Sequence, residues 1–595
     1  MRLKARIKRE IRFLRALSRT LRRIRSITPD STNLSCDDLE KAVDEFRDRR
    51  AVTFEGKTVT YAEFDAIANR YAHWAVGQNV RRGGVVALFM PNRLEYAAIW
   101  YGLSKVGVVT ALINNQLTGS ALAHCLTISG ASHIIVDGDT LPVFEQVRAE
   151  LPKGLAVWTL SEAHGDQRDL GKALRSCSQL RPDRAQRGGL VAKDTALLIF
   201  TSGTTGLPKA ARVTHARIQL YMRGFAAATD ARPEDRIYIA LPLYHATGGL
   251  CAVGAALLNG GSMVLKRRFT ASHFWEDVVA EDCTMFVYIG ELCRYLANQP
   301  EHPDETRHKI RLAFGNGLQA DVWRVLLDRF RVGQVLEFYG STEGNVSMFN
   351  FDGKVGAVGR APRWLRRRFN FRIIQFDVEK EAPVRGLNGL CIEAGVGQVG
   401  EVIGKIGQSA RENYTGYADK AASEKKVIRD VFEKGDAFFA TGDLMKKDAD
   451  GYFYFVDRIG DTFRWKGENV ATSEVAAALT SFAGVEEATV YGVAVPGQEG
   501  RAGMASLVVG DGFDVKALAA HLDNELPAYA RPLFLRLQRE IETTGTFKHR
   551  KMDLIAQGFD PAVTKSPTYL RDGDRGYIRV TKSVFDKLQA GGYRI

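Results

Sequence analysis

The chain has 595 residues, 45% of them hydrophobic and 25% charged, a balance that excludes a disordered or fibrous polymer and a length that exceeds what one core serves. Its net charge of +13 raises the question of nucleic acid, but eleven basic residues against Glu10 alone put +10 of it between Met1 and Ser26, leaving +3 for the other 569 residues. No nucleic-acid partner is therefore expected, and two or more globular domains are.

Within the first segment, residues 1–27, Leu3, Ile7, Leu14, Leu17, Leu21 and Ile24 recur mostly at steps of three and four, which predicts a helix with one apolar side and arginines around the rest. Such a helix suits an anionic lipid surface; the alternative is a basic helix that packs on its own protein. No continuous apolar run follows the charges, so a secretory signal is not expected.

From about Arg50, apolar runs alternate with helical periodicity: "VVALFM", "VVTALI" and "SHIIVDG" read as strands, "EYAAIWYGLSKVG" and "LTGSALAHCLTISG" as helices. That alternation predicts parallel sheets covered by helices. The longest uncharged run, Ala246 to Leu265, is broken by glycines and reads as a buried helix, a turn and a strand rather than a membrane span. Seven scattered cysteines without a CxxC pair fit a reducing cytosol and argue against a zinc site. Near Val456 the pattern shifts to shorter units. The expected architecture is α/β: a large body over 28–457 with parallel-rich sheets, a hinge near 460, and a small mobile α+β domain over 458–595.

"LLIFTSGTTGLPK" leaves a strand through Thr201, Ser202, Gly203, Thr204, Thr205 and Gly206 and reaches Lys209. Glycines let backbone N–H groups approach an anion, hydroxyls add donors and lysine adds a charge, so phosphate is the natural guest. The spacing differs from GxxxxGK[ST], which disfavours a Walker-type site.

The string TSGTTGLPK resembles the phosphate loop of the adenylate-forming superfamily. With "PLYHATGG", "YIGELCRYL", "YGSTEGN", "TGDLMKKDADGYFYFVDRIGDTFRWKGENVATSEV" and "TGTFKHRKMDL" in that order, the chain resembles the long- and very-long-chain acyl-CoA synthetases called fatty acid transport proteins, from about residue 50 to the end. The resemblance implies activation of a fatty carboxylate by ATP, with release of pyrophosphate, and transfer of the acyl group from the adenylate to coenzyme A. It implies that Glu343 ligates Mg²⁺ and that Thr342, with Gly340 and Ser341 in the same turn, meets the α-phosphate. Tyr339 offers a face to adenine, beside the turn of Gly315, Asn316 and Gly317. Asp443 is expected to accept the ribose hydroxyls, Arg458 to lie near ribose and phosphate, Gly460 to serve as the hinge and Gly467 to line the pantetheine tunnel. His245 would border the acyl carboxylate, or equally be a satisfied core histidine. Glu291 and Arg294 are expected to pair across a helical turn.

Lys548 is the implied catalytic lysine, with Lys551 as the competing position; Phe547 stands where most of the superfamily has glycine, as in the very-long-chain branch. Another departure is the basic amino terminus, where family members often begin with an apolar membrane segment. The implied setting is cytoplasmic, peripheral on the inner face of the cell membrane, with a homodimer by analogy. Two rivals are an acyl-adenylate ligase serving a carrier protein and a non-enzymatic membrane-associated fatty acid binder. Joint retention of Lys209, Glu343, Asp443, Arg458 and Lys548 argues against the latter.

Overall fold

Runs of branched apolar residues in the first half build two sheets, and the computed structural model describes residues 2–160, 163–201, 207–378, 380–466, 468–498, 500–543, 551–591 and 593. The first sheet has seven strands, in the order 168–169, 156–159, 133–136, 85–89, 109–112, 195–201 and 209–214. All neighbours are parallel except the last pair, where Lys209–Thr214 turns back antiparallel on Thr195–Thr201. The second has eight, in the order 347–349, 335–340, 312–316, 285–289, 236–239, 262–265, 50–54 and 57–60, parallel throughout except at its two ends. Parallel strands need helices on their faces, which explains why Glu95–Lys105 is buried almost all round.

The chain forms two compact units: residues 1–370, 404–429 and 436–439 in the first, and 371–403, 430–435 and 440–595 in the second. Each unit is therefore assembled from more than one stretch of the chain. The second unit contains a five-stranded sheet, Val485–Val493, Ala502–Val509, Phe534–Gln538, Thr568–Arg571 and Tyr577–Arg579, mainly antiparallel and with its own core. The run Ala246–Leu265 is buried as expected: a π-wound turn Thr247–Ala252, a helix Val253–Leu257 and a strand Ser262–Leu265. All seven cysteines are free thiols.

The amino-terminal helix, Arg2–Ile24, packs on the body of its own chain. Its apolar residues do not form one face: Phe13 and Ala16 are buried, as the polar Thr20 is, and Leu17 packs against the main core, whereas Ile7, Ile11, Leu14 and Leu21 stay exposed. Phe13 meets Phe351 edge-on at 6.1 Å, and Glu10 accepts from Arg360 at 2.6 Å. Arg19 donates to the carbonyl of Ala227 at 2.6 Å, capping the helix His215–Ala228 with a cation at its carboxyl end. Among the described residues no helix is long and apolar enough to cross a membrane.

Candidate active site

Open parallel sheets bind ligands beyond the carboxyl ends of their strands, where helix and loop termini leave backbone groups unpaired. The singled-out motifs leave at those ends. "TSGTTG" begins at the last residue of Thr195–Thr201, and in the larger sheet "FGNGL" runs out of the end of Leu312–Asn316, "YGSTEG" out of the end of Val335–Gly340, and "PLYHATGG" starts just after Arg236–Ile239.

Ser202, Gly203, Thr204, Thr205 and Gly206 lie outside the described residues; the neck of their loop does not. Thr201 and Lys209 are cross-strand partners, so the chain re-enters the sheet as an antiparallel strand at Lys209 rather than as a helix. The segment 416–418 runs alongside the outer strand: Arg212 N donates to Gly416 O, Ala418 N donates to Ala210 O, and Ala211 bridges Tyr417. Gly416 holds φ at +65°, and this brings Tyr417 to the loop neck. The Lys209 ammonium stands 5.7 Å from the Tyr417 ring centre, and the Tyr417 hydroxyl donates to Glu343 Oε1 at 2.9 Å. Burial, with the Glu343 carboxylate beside it, raises the Tyr417 phenol far above its ordinary value, so it is a neutral donor.

Glu343 thus belongs to a cluster with Tyr417, Lys209 and the loop neck. It is half-buried, as Tyr339 and Ser341 are; Thr342 is buried and Gly340 exposed. Tyr221 donates to Ser341 O at 2.9 Å, and burial pushes that phenol up to about 12. Ser341 Oγ accepts from Gly344 N at 3.1 Å, closing the turn. Gly344 has no room for a side chain: a Cβ would lie 2.2 Å from Ser341 Oγ and 2.5 Å from the Phe439 ring. Asn345 pins the end of the turn by donating to Lys405 O and Glu412 O at 2.8 and 2.9 Å. A hard, half-buried carboxylate fits Mg²⁺, which is commonly held by one or two carboxylates together with substrate phosphates. Among the described residues no group of three or more His, Cys, Asp or Glu gathers that could hold a metal ion.

Gly315 pairs with Tyr288 on one side and Glu337 on the other, so these three residues share one row across three parallel strands. Because Gly315 has no side chain, the Tyr288 ring crosses above it: a Cβ there would meet Tyr288 Cδ2 at 2.5 Å and Tyr288 O at 2.1 Å. The Tyr288 hydroxyl reaches Glu337 Oε2 at 2.5 Å, while Glu337 Oε1 accepts from Leu318 N at 3.1 Å. Burial pushes the Glu337 carboxyl up to about 8, and it is a proton-carrying group at neutral pH. This buried pair supports the turn of Asn316 and Gly317, whose φ is +81°. The buried Asn316 Oδ1 has no hydrogen-bond partner.

His245 precedes the π-wound turn and accepts from Gly249 N at 2.7 Å through its carbonyl. Gly249 is required there, since a Cβ would fall 2.0 Å from Leu243 O. Arg294 does not turn to Glu291: its guanidinium goes to Asp321 and Gln319, each at 3.2 Å, because the start of the next helix stands closer to its fork.

In the second unit, Asp443 and Arg458 are cross-strand partners, with Arg458 Nε 3.6 Å from Asp443 Oδ1. Thr441 Oγ1 donates to Val402 O at 2.7 Å and accepts from Asp443 N at 3.1 Å, while Gly442 takes φ +80°. Gly460 lies in the turn after strand Tyr452–Arg458, where Arg458 O accepts from Asp461 N and Thr462 N, each at 3.0 Å. Lys551 donates to Asp461 Oδ2 at 3.0 Å and Thr472 Oγ1 at 3.2 Å, which gives it a structural role. Lys548 and Gly467 lie outside the described residues.

Tyr417, Tyr288 and Glu337 were not singled out from the sequence. Glu337 carried a signal, a carboxylate inside the apolar strand "VLEFYG"; Tyr417 carried only a glycine between two tyrosines.

The AMP-binding enzyme family profile matches residues 39–401, and that of the AMP-binding enzyme C-terminal domain matches 474–548. Long-chain fatty acid transport protein 6 of Mus musculus is 41% identical over 549 residues, 91% of this chain and 88% of the relative. Long-chain fatty acid transport protein 3 of Mus musculus is 42% identical over 560 residues, 92% of this chain and 82% of the relative. Among solved structures, an anthranilate CoA ligase in complex with anthranoyl-AMP is similar with a TM-score of 0.76 at 20% identity, covering 90% of this chain and 98% of that one. At that identity the likeness establishes a shared fold.

Proposed function

The chain belongs to the AMP-binding enzyme family and, within it, to the long-chain fatty acid transport proteins, and from that premise we propose that it joins a long- or very-long-chain fatty acid to coenzyme A through an acyl adenylate. A carboxylate cannot acylate a thiol directly, because its leaving group would be oxide or hydroxide. The fatty carboxylate therefore attacks the α-phosphorus of ATP and pyrophosphate departs; the coenzyme A thiolate then attacks the acyl carbon and AMP departs.

Both steps bring anions together, so the chain's task is to hold charge in place. The loop Thr201–Gly206 and Lys209 hold the phosphates. Glu343 would hold Mg²⁺, which supplies charge neutralisation at the phosphate oxygens when bound. Tyr417 orients Glu343 by donating to one carboxylate oxygen, leaving the other for the metal. Thr342 donates to the α-phosphate, Tyr339 stacks on adenine, and Asn316 Oδ1 accepts from its amine. Asp443 binds the ribose hydroxyls, and Arg458, its cross-strand partner, steadies that carboxylate. Lys548 bridges the attacking carboxylate and the α-phosphate in the first step. Rotation at Gly460 then removes it and brings Gly467 to the thiol path, a change of backbone angles that glycine accepts at low steric cost. His245 borders the acyl carboxylate.

The observation that carries this reading is the contact chain from Lys209 through Tyr417 to Glu343 at the neck of the phosphate loop. The test is oleate-dependent exchange of pyrophosphate into ATP, followed by oleoyl-CoA formation when coenzyme A is added. Exchange without transfer to coenzyme A would exclude the second half, and no exchange would exclude both. The same reading puts the enzyme at the inner face of the cell membrane, attached peripherally through the amino-terminal helix, close to a substrate that partitions into lipid. A homodimer is tested by light scattering.

A further inference from the structure

A helix seated on its protein by one side can still offer another. At about 100° per residue, with Phe13 as the origin, Ala16, Leu17, Thr20 and Ile24 all fall within roughly 60° of the buried seam. Glu10 stands at about 60°, and Leu21, Leu14, Ile7 and Ile11 follow from about 80° to 160° on the same flank. These four side chains are 37%, 40%, 50% and 43% exposed. Arg19 and Arg23, which hold Ala227, Asp230 and Asn259, stand on the opposite flank. Glu10 is therefore the edge of the exposed apolar stripe, and its partner Arg360 marks what lies beside that stripe.

Three residues after Arg360 begins the 3₁₀ turn Arg363–Arg368, "RWLRRR". Leu365 packs into the main core and anchors the turn, while Trp364 is 62% exposed and Arg363, Arg366, Arg367 and Arg368 are exposed around it. Trp364 is four residues from Arg360, a span of about 14 Å at most. No part of the proposed reaction uses this turn.

We propose that the exposed stripe of the amino-terminal helix and the turn Arg363–Arg368 form one docking surface for an anionic lipid bilayer, with Trp364 at the interface and the arginines on lipid phosphates. The inference rests on the reading of the helix as a lipid contact and adds a second element to it. Nucleic acid would satisfy the cations but not the apolar stripe or the outward tryptophan. A bilayer interface takes all three, since aromatic rings settle at headgroup depth and basic residues gather at anionic leaflets. Arg360 fixes the relation of the two elements by bridging Glu10 and Asp352 at 2.6 and 3.0 Å, with its guanidinium over the Phe13 ring.

The test is cosedimentation of the full chain with phosphatidylcholine vesicles, with and without phosphatidylserine. Each basic residue near an anionic surface contributes about fivefold in affinity, so Arg367→Gln with Arg368→Gln should weaken binding to the anionic vesicles about 25-fold, and adding Trp364→Ala should weaken it further. A second variant, Ile7→Ser with Leu14→Ser, tests the helix alone. Oleoyl-CoA formation from detergent-dispersed oleate, unchanged in every variant, shows that the protein is folded. Loss of binding in both variants is the expected result. If the turn variant binds like the parent while the helix variant does not, this inference is overturned and the helix reading stands. If both bind like the parent, or neutral and anionic vesicles bind equally, both readings fall. Loss in the turn variant alone overturns the joint surface.

Discussion

Replacing Glu337 by Gln gives a stability change whose sign depends on pH. The carboxyl sits between the Tyr288 hydroxyl and Leu318 N, and burial pushes it up to about 8 from its ordinary value of 4.5. A group that holds its proton more tightly when folded stabilises fully below its unfolded value, and that stabilisation is lost as pH rises through its folded value. Each pH unit between the two costs the parent about 1.4 kcal/mol relative to a residue with no proton to lose, and the whole window costs at most about 5 kcal/mol. Glutamine preserves the contacts, accepting from Leu318 N and donating to Tyr288. The variant should therefore gain on the parent steadily from about pH 4.5 to 8. Six of the seven tryptophans lie in the first unit, so urea unfolding followed by tryptophan fluorescence reports the relevant transition. Parallel stability curves for parent and variant across that window would refute the reasoning, because they would mean that Glu337 is ionised or reached by water.

Tyr417→Phe removes the hydroxyl that orients Glu343 and should slow oleate-dependent pyrophosphate exchange about tenfold or more, the scale of a hydrogen bond to a charged group, with the Mg²⁺ requirement shifted to higher concentration. Gly344→Ala forces a Cβ against Ser341 and Phe439 and should cost about 1–3 kcal/mol in urea unfolding of the first unit. Lys548→Ala should abolish exchange, whereas Lys551→Ala, which breaks the pair with Asp461, should lower the thermal midpoint and leave most of the exchange rate. Phe13→Ala empties a fully buried site, and a cost of about 3–5 kcal/mol should appear as loss of hydrogen-exchange protection over residues 6–24.

Much of the fold was legible because the physics was local. Strands such as "VVALFM" carry their own apolar runs, and the phosphate loop and "YGSTEG" announce themselves by glycines and hydroxyls in unbroken stretches. The features that escaped depend on residues far apart in the chain. Tyr417 reaches the loop neck through a bridge to Ala211, and the Tyr288–Glu337 pair exists only because strand order places Gly315 between them. Arg294 found Asp321, 27 residues away, rather than the neighbour that helical spacing suggested. The amino-terminal helix misled for a different reason. Its wheel carries apolar residues over more than half a turn, and only the tertiary contact of Phe13 with Phe351 decides which of them are covered.

The seating of that helix has a consequence for how attachment would register in a spectrometer. Amphipathic peptides commonly pass from coil to helix on meeting a vesicle, and the entropy of ordering sets their affinity. Here the helix is already wound and braced by Arg19, Arg360 and Phe13, so far-ultraviolet circular dichroism should stay flat as vesicles are added. Salt and headgroup charge, rather than folding, would then govern how long each molecule stays.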